Sequence, residues 1–132
     1  WPRVGATMAA MEQAGSAALA AFGERCHAYT HLSHVYAQGS SVYSTFVFRI
    51  GNDFDSAWAR WSALKRAVSD AVVRSGGTIS HQHGVGKDHA PYLAAEKGAR
   101  GLQAIQALVD HFDPQGLMAS GNLLPHTTHE PR

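Results

Sequence analysis

Two runs of alternating side chains joined by a turn constrain this chain more than any other feature. From Val42 to Ile50, the residues Val42, Ser44, Phe46, Phe48 and Ile50 fall on one side, and Tyr43, Thr45, Val47 and Arg49 on the other. That is the period of a strand with one apolar face. Cys26 to Val35 is also β-like, with Ala28, Thr30, Leu32 and His34 on one side and Tyr29, His31 and Ser33 on the other. Gln38-Gly39-Ser40-Ser41 reads as the turn between them. The two runs can pair as an antiparallel hairpin whose apolar face has to be covered.

Helical patterns on either side supply the cover. Val4 to Phe22 carries Val4, Met8, Met11, Ala18, Leu19 and Phe22 at helical spacings, with Gly23 placed to end the helix. Asn52 and Asp53 can cap a second helix running to about Ser75, with Phe54, Trp58, Trp61, Leu64, Val68 and Val72 as its buried stripe. Thr78 to Ser80 reads as a short third strand. Asp88 then caps a helix with Pro91 in its first turn, kinked near Gly98 and Gly101. Leu102, Ile105, Leu108, Val109 and Phe112 form its stripe, Asp113-Pro114 ends it, and Leu117 and Met118 anchor the loop after it. The expected fold is α+β, a small antiparallel sheet with helices packed on one face. Residues 1–124 read as one domain and 125–132 as a loose polar tail containing His126 and His129.

Composition excludes several functions. The net charge is +1 and the basic residues are scattered, so no nucleic-acid footprint is present. One cysteine, Cys26, cannot build an intrachain disulfide framework and reads as a small buried apolar residue. No apolar run approaches the ~20 residues of a membrane span, and no signal peptide stands out. A cytoplasmic location is the expectation.

The stretch that looks most like chemistry is Gly76 to Lys87, GGTISHQHGVGK. Were it extended, His81 and His83 would share one face and Gln82 would take the other. Glycines on both sides allow sharp turns and the close approach of a ligand. Solvent-facing strand histidines are the plain alternative.

SHQHGVGK resembles the histidine motif of the alkyldihydroxyacetonephosphate synthase family, flavoenzymes of ether-lipid synthesis within the vanillyl-alcohol-oxidase type of FAD-linked oxidases. The resemblance extends to His34-Val35-Tyr36, Gly39, Val42-Tyr43, Phe46 and Phe48 upstream. Downstream it takes in Phe112-Asp113-Pro114 and Gly121-Asn122-Leu123-Leu124. It implies the C-terminal part of a ferredoxin-like substrate, or cap, domain that closes over the flavin. FAD would be held mainly by a separate FAD-binding domain of the same polypeptide, and this piece alone is expected to be inactive.

The resemblance further implies roles. The family's catalytic tyrosine matches Tyr43, and its three consecutive histidines match His81, Gln82 and His83. Tyr43, His81 and His83 are the expected catalytic residues. Gln82, His34 and Lys87 are expected to bind substrate, and His83 and Asn122 to approach the flavin. The middle residue departs from the family: a glutamine can donate and accept hydrogen bonds but takes no proton at neutral pH. Asp88-His89-Ala90 also replaces the basic residues that often follow GVGK.

The implied reaction exchanges an acyl chain for an alkyl chain through a flavin adduct, with a lipid precursor as substrate. An FAD-dependent oxidase or dehydrogenase of an alcohol or 2-hydroxy acid is the second reading, and a non-enzymatic binding domain the third. A homodimer is compatible with each. Related 2-hydroxy-acid dehydrogenases carry a metal on His, His and Glu, matched here by His34, Tyr43 and Gln82. A phenol and a neutral amide are poor replacements, so no metal is expected. A site of His81 and His83 with His34 or His89 is the weaker option.

Overall fold

A computed structural model describes residues 1–118 and 121–124. The elements run α1 (Val4–Ala20), β1 (Cys26–Val35), β2 (Ser40–Phe48), α2 (Phe54–Arg74), a one-turn helix α3 (Gly86–His89), a 3₁₀ turn (Ala90–Tyr92) and α4 (Leu93–Phe112). The architecture is α+β, as the alternation predicts. The chain divides into two compact units, Trp1–Gly77 and the part that begins at Thr78.

In the first unit β1 and β2 form the antiparallel hairpin, in register from Cys26 opposite Phe48 to Val35 opposite Ser40. The turn is tighter than the sequence suggests. Tyr36 N–H donates to Gly39 O at 2.8 Å and Gly39 N–H returns to Tyr36 O at 3.3 Å, so Ala37 and Gln38 make the loop and β2 begins at Ser40. The indole N–H of Trp1 reaches Tyr36 O at 3.1 Å and Ala37 O at 3.2 Å, strapping the start of the chain to this turn.

α1 covers the inner face of the hairpin, where Ala28, Thr30, Ser44, Phe46 and Phe48 are half-buried. Gly15 is buried at the crossing point. A Cβ there would overlap the Phe46 ring and Leu64, so only glycine lets the helix approach so closely. Thr30 Oγ1 and Ser44 Oγ share a hydrogen bond of 2.7 Å across the strands, and Ser44 reaches Met11 Sδ at 3.8 Å. The apolar core centres on Met11, Leu19, Leu64 and Ala71.

α2 starts on a side-chain cap. Asp53 Oδ1 accepts the Ser56 N–H at 2.8 Å, and Oδ2 accepts its hydroxyl at 2.8 Å. The helix ends on Gly76, left-handed at φ +70, with Gly77 N–H donating to Val72 O and Gly76 N–H to Val73 O. Its buried stripe is narrower than expected. Leu64 and Ala71 are buried on the side that packs against α1, but Phe54 is 76% and Trp58 55% exposed. Phe54 stacks on Trp58 and Trp58 on Trp61, at centroid separations of 6.3 and 5.0 Å. Phe22 is also exposed, because it falls in the turn beyond the last residue of α1.

In the second unit the expected strand Thr78 to Ser80 does not form. Among the described residues the sheet has two strands, and the chain from Ile79 to His83 is bent. Asp88 lies inside α3 rather than at a cap, and α4 is kinked where Gly98 adopts φ 67 and ψ 173. Leu108 and Phe112, read as part of the stripe of α4, are exposed, while Leu93 at its start is buried. Asp113 ends the helix. Its carboxylate accepts the N–H of Leu117 at 2.8 Å and of Met118 at 2.7 Å, so this loop is anchored through its backbone while both side chains stay in solvent. His126, His129 and the rest of the tail lie outside the described residues. No helix among the described residues is long and apolar enough to cross a membrane.

Candidate active site

The outer face of the hairpin, turned away from α1, assembles one group of candidate residues. Side chains alternate along each strand, and directly opposed residues share a face. His27, Tyr29 and His31 on β1 therefore stand beside Val47, Thr45 and Tyr43 on β2. All are exposed except the half-buried Thr45, with Tyr43 at 48%. His31 and Tyr43 stack, their centroids 5.4 Å apart and their planes at 28°.

His34 joins this face through an irregularity that simple alternation does not contain. The register passes from Leu32 opposite Val42 to His34 opposite Ser41, so Ser33 is one residue too many for the ladder. This is a β-bulge, and it re-aims the side chains beyond it. Leu32 and Val42 point inward, so the next residue of β2, Ser41, points outward together with its partner His34. The alternation had put His34 on the inner side with Leu32; the structure puts it on the side of Tyr43. Its ring is held by hydroxyls, with Ser33 Oγ 2.8 Å and Ser41 Oγ 3.4 Å from Nδ1, and it stacks on Tyr36 at 6.5 Å.

The second group lies on one loop of the second unit. Ser80 Oγ donates to Gly84 O and closes a ring of backbone around His81, Gln82 and His83. Gln82 has φ +66, the one positive φ outside glycine among the described residues. A left-handed residue reverses the chain, so the expected placement of His81 and His83 on one face of a strand does not apply. All three side chains are exposed. Lys87 is exposed on α3, two residues beyond Val85. Asn122 is exposed in the closing segment. Within either unit no three His, Cys, Asp or Glu side chains among the described residues converge on a point where a metal could sit.

Comparison with known proteins identifies the type of domain. The family model of the FAD linked oxidases, C-terminal domain, matches residues 4–123. The chain belongs to that family. Its cofactor is FAD, and the family's match begins in α1 and ends in the Gly121-Asn122-Leu123 segment. Among curated family relatives, the chain is 31% identical over 93 residues to alkyldihydroxyacetonephosphate synthase of Caenorhabditis elegans, covering 70% of this chain and 15% of that protein. It is 30% identical over 96 residues to the synthase of Trypanosoma brucei brucei, covering 72% and 15% respectively. It is 36% identical over 56 residues to glycolate oxidase subunit GlcD of Bacillus subtilis, covering 42% of this chain and 12% of that subunit. The chain thus spans about 15% of the length of the synthases it matches.

Sequence reasoning missed three residues on the outer face: His31, Ser33 and Ser41. His31 could have been found from the hairpin register, because it falls opposite Tyr43. The two serines had no such signal, since a bulge leaves no mark in an alternating pattern.

Proposed function

We propose that this chain is the C-terminal part of the substrate domain of an FAD-dependent enzyme of the alkyldihydroxyacetonephosphate synthase type. The observation that carries the reading is the bulge at Ser33, which sets His34 on the same exposed face as Tyr43. An alternating ladder without the bulge would have separated them.

The outer face also fits a flat ring system. It offers the aromatic faces of Tyr29, His31 and Tyr43, and hydroxyl and imidazole donors, without a carboxylate among the paired residues from Cys26 to Phe48. The flavin, when bound, would supply the electron sink at the reacting carbon. Tyr43 would exchange a proton with the substrate as general acid and base. His81 and His83 would serve the same reaction by orienting substrate and carrying protons. His34 and Lys87 would bind substrate oxygens. Gln82 would hold a substrate oxygen or a backbone group, and His83 and Asn122 would approach the flavin edge. The rest of the polypeptide, with the FAD-binding domain, would cover this face.

The similarity to a glycolate oxidase subunit supports a second reading, oxidation of an alcohol or 2-hydroxy acid. One experiment separates the two. The flavin-loaded enzyme containing this chain is mixed without oxygen with glycolate, or with an acyl-dihydroxyacetone phosphate and a fatty alcohol. Chain exchange with the flavin still oxidised at the end supports the synthase. Lasting bleaching of the flavin by glycolate supports the oxidase and overturns the synthase reading.

A further inference from the structure

Among the described residues the sheet has two strands, so the edge of β2 away from β1 has no strand beside it. A sheet edge is a template for a further strand, and edges that stay open are blunted by charge, proline or a bulge. β2 has none of these. Ser40–Phe48 contains no Lys, Arg, Asp, Glu, Pro or Gly, and the extra residue of the ladder, Ser33, belongs to β1. From Val42 to Phe48 every residue but Ser44 is β-branched or aromatic, the types that favour strands. Such a run, uncharged and without proline, is a hazard when its edge is left open.

β1 has the opposite character. Its bulge bends it away from a neighbour, and from His31 to Val35 it is exposed on both faces. β2 is half-buried along its length except at Tyr43 and Val47. β1 is thus built as an edge strand and β2 as an inner one.

Trp1 indicates where the missing neighbour comes from. Its main-chain nitrogen lies 3.4 Å from Gln38 O and its indole N–H reaches Tyr36 O and Ala37 O, so the chain enters α1 beside the turn from which β2 departs. α1 packs on the hairpin, and β1 then starts at Cys26, at the end remote from the turn. A strand leading into Trp1 would therefore run toward the turn, parallel to β1 and antiparallel to β2. On the free edge of β2 it would make α1 the crossover of a strand–helix–strand unit, the usual link between parallel strands of one sheet. The synthases that match are several times longer than this chain, which spans about 15% of their length. A strand of the same polypeptide reaches the edge at a high effective concentration, ahead of any second copy.

We infer that in the intact polypeptide the residues leading into Trp1 form a strand that pairs antiparallel with the free edge of β2. The strand that carries Tyr43 is then held by main-chain hydrogen bonds on both sides. This goes beyond the proposed function and holds for either substrate.

Two measurements on the intact polypeptide test it. In an antiparallel hairpin alternate amides of β2 face away from β1. Residue-resolved hydrogen exchange should find both sets of β2 amides protected by roughly 100-fold or more, the behaviour of a packed inner strand, while the outward set on β1 exchanges fast. A fast outward set on β2 overturns the inference. The second measurement identifies the neighbour. Ser41→Cys and Val47→Cys, about 20 Å apart along β2, are each combined with single cysteines over the ~10 residues before Trp1, the length of a long strand. Disulfides identified by mass spectrometry should join Ser41→Cys to positions nearer Trp1 and Val47→Cys to positions further from it. The reverse order, no disulfide to this segment, or cross-links to another part of the polypeptide or to a second copy overturns the inference.

Discussion

His31 and Tyr43 stand opposite each other across the hairpin, with ring centroids 5.4 Å apart and planes at 28°. One face of the phenol is thereby occupied, and its swing about the strand is restricted. Such pairs contribute about 0.5–1.5 kcal/mol beyond their buried area. His31→Phe keeps a ring in place and should leave the melting temperature and the rate of the flavin-loaded enzyme near normal. His31→Ala removes it and should lower turnover by up to about tenfold, the equivalent of 1.4 kcal/mol. Equal rates in the two variants would show that the stack does not position Tyr43.

Gly15 makes a prediction about packing alone. A side chain there meets Phe46 and Leu64, where α1 crosses the hairpin. Gly15→Val should therefore destabilise the chain by about 1–3 kcal/mol, the usual scale of overpacking. Urea unfolding measures it as a lowered midpoint with an unchanged slope.

Asp53 gives a pH dependence with a definite sign. The Ser56 N–H, followed by the Ser56 hydroxyl, holds its carboxyl below the ordinary value of 3.8. A lowered folded pKa adds stability above the unfolded pKa and loses it as pH falls through the folded one. Asp53→Ala should lower the melting temperature at neutral pH. The gap from the natural chain should close as the pH is taken below 3.8, and thermal melts across that range check it. A gap that persists in acid would mean that the cap does not act through its charge.

Gln82 tests the histidine loop. Its φ of +66 suits glycine and burdens a residue with a Cβ by roughly 1–2 kcal/mol. Gln82→Gly should leave the loop intact and slightly raise stability. Gln82→Val should lower it, because a branched Cβ tolerates this region least. Hydrogen exchange at Gly84 and Val85 reports the loop in each variant.

Much of the fold was legible because its signals are local. β1 forms over Cys26–Val35 as its side chains suggest, and α2 runs from the Asp53 cap to the glycine pair that stops it. Where tertiary packing decides, the pattern was less informative. Phe54 and Trp58 have helical spacing, but spacing alone cannot say which apolar residues a partner reaches. In the candidate site, Tyr43 fell on the expected side of its strand. His34 did not, because one inserted residue shifts every later side chain of the strand to the other face. Gln82 was read as extended because a left-handed backbone leaves no trace in a glutamine.

The central claim is that the outer face of the hairpin carries out proton transfer through the Tyr43 hydroxyl. The most direct measurement is the turnover of the flavin-loaded enzyme carrying Tyr43→Phe, with flavin content and melting temperature recorded alongside. The account predicts a loss of at least ~100-fold with both controls unchanged. Turnover within a few-fold of the natural enzyme would contradict it.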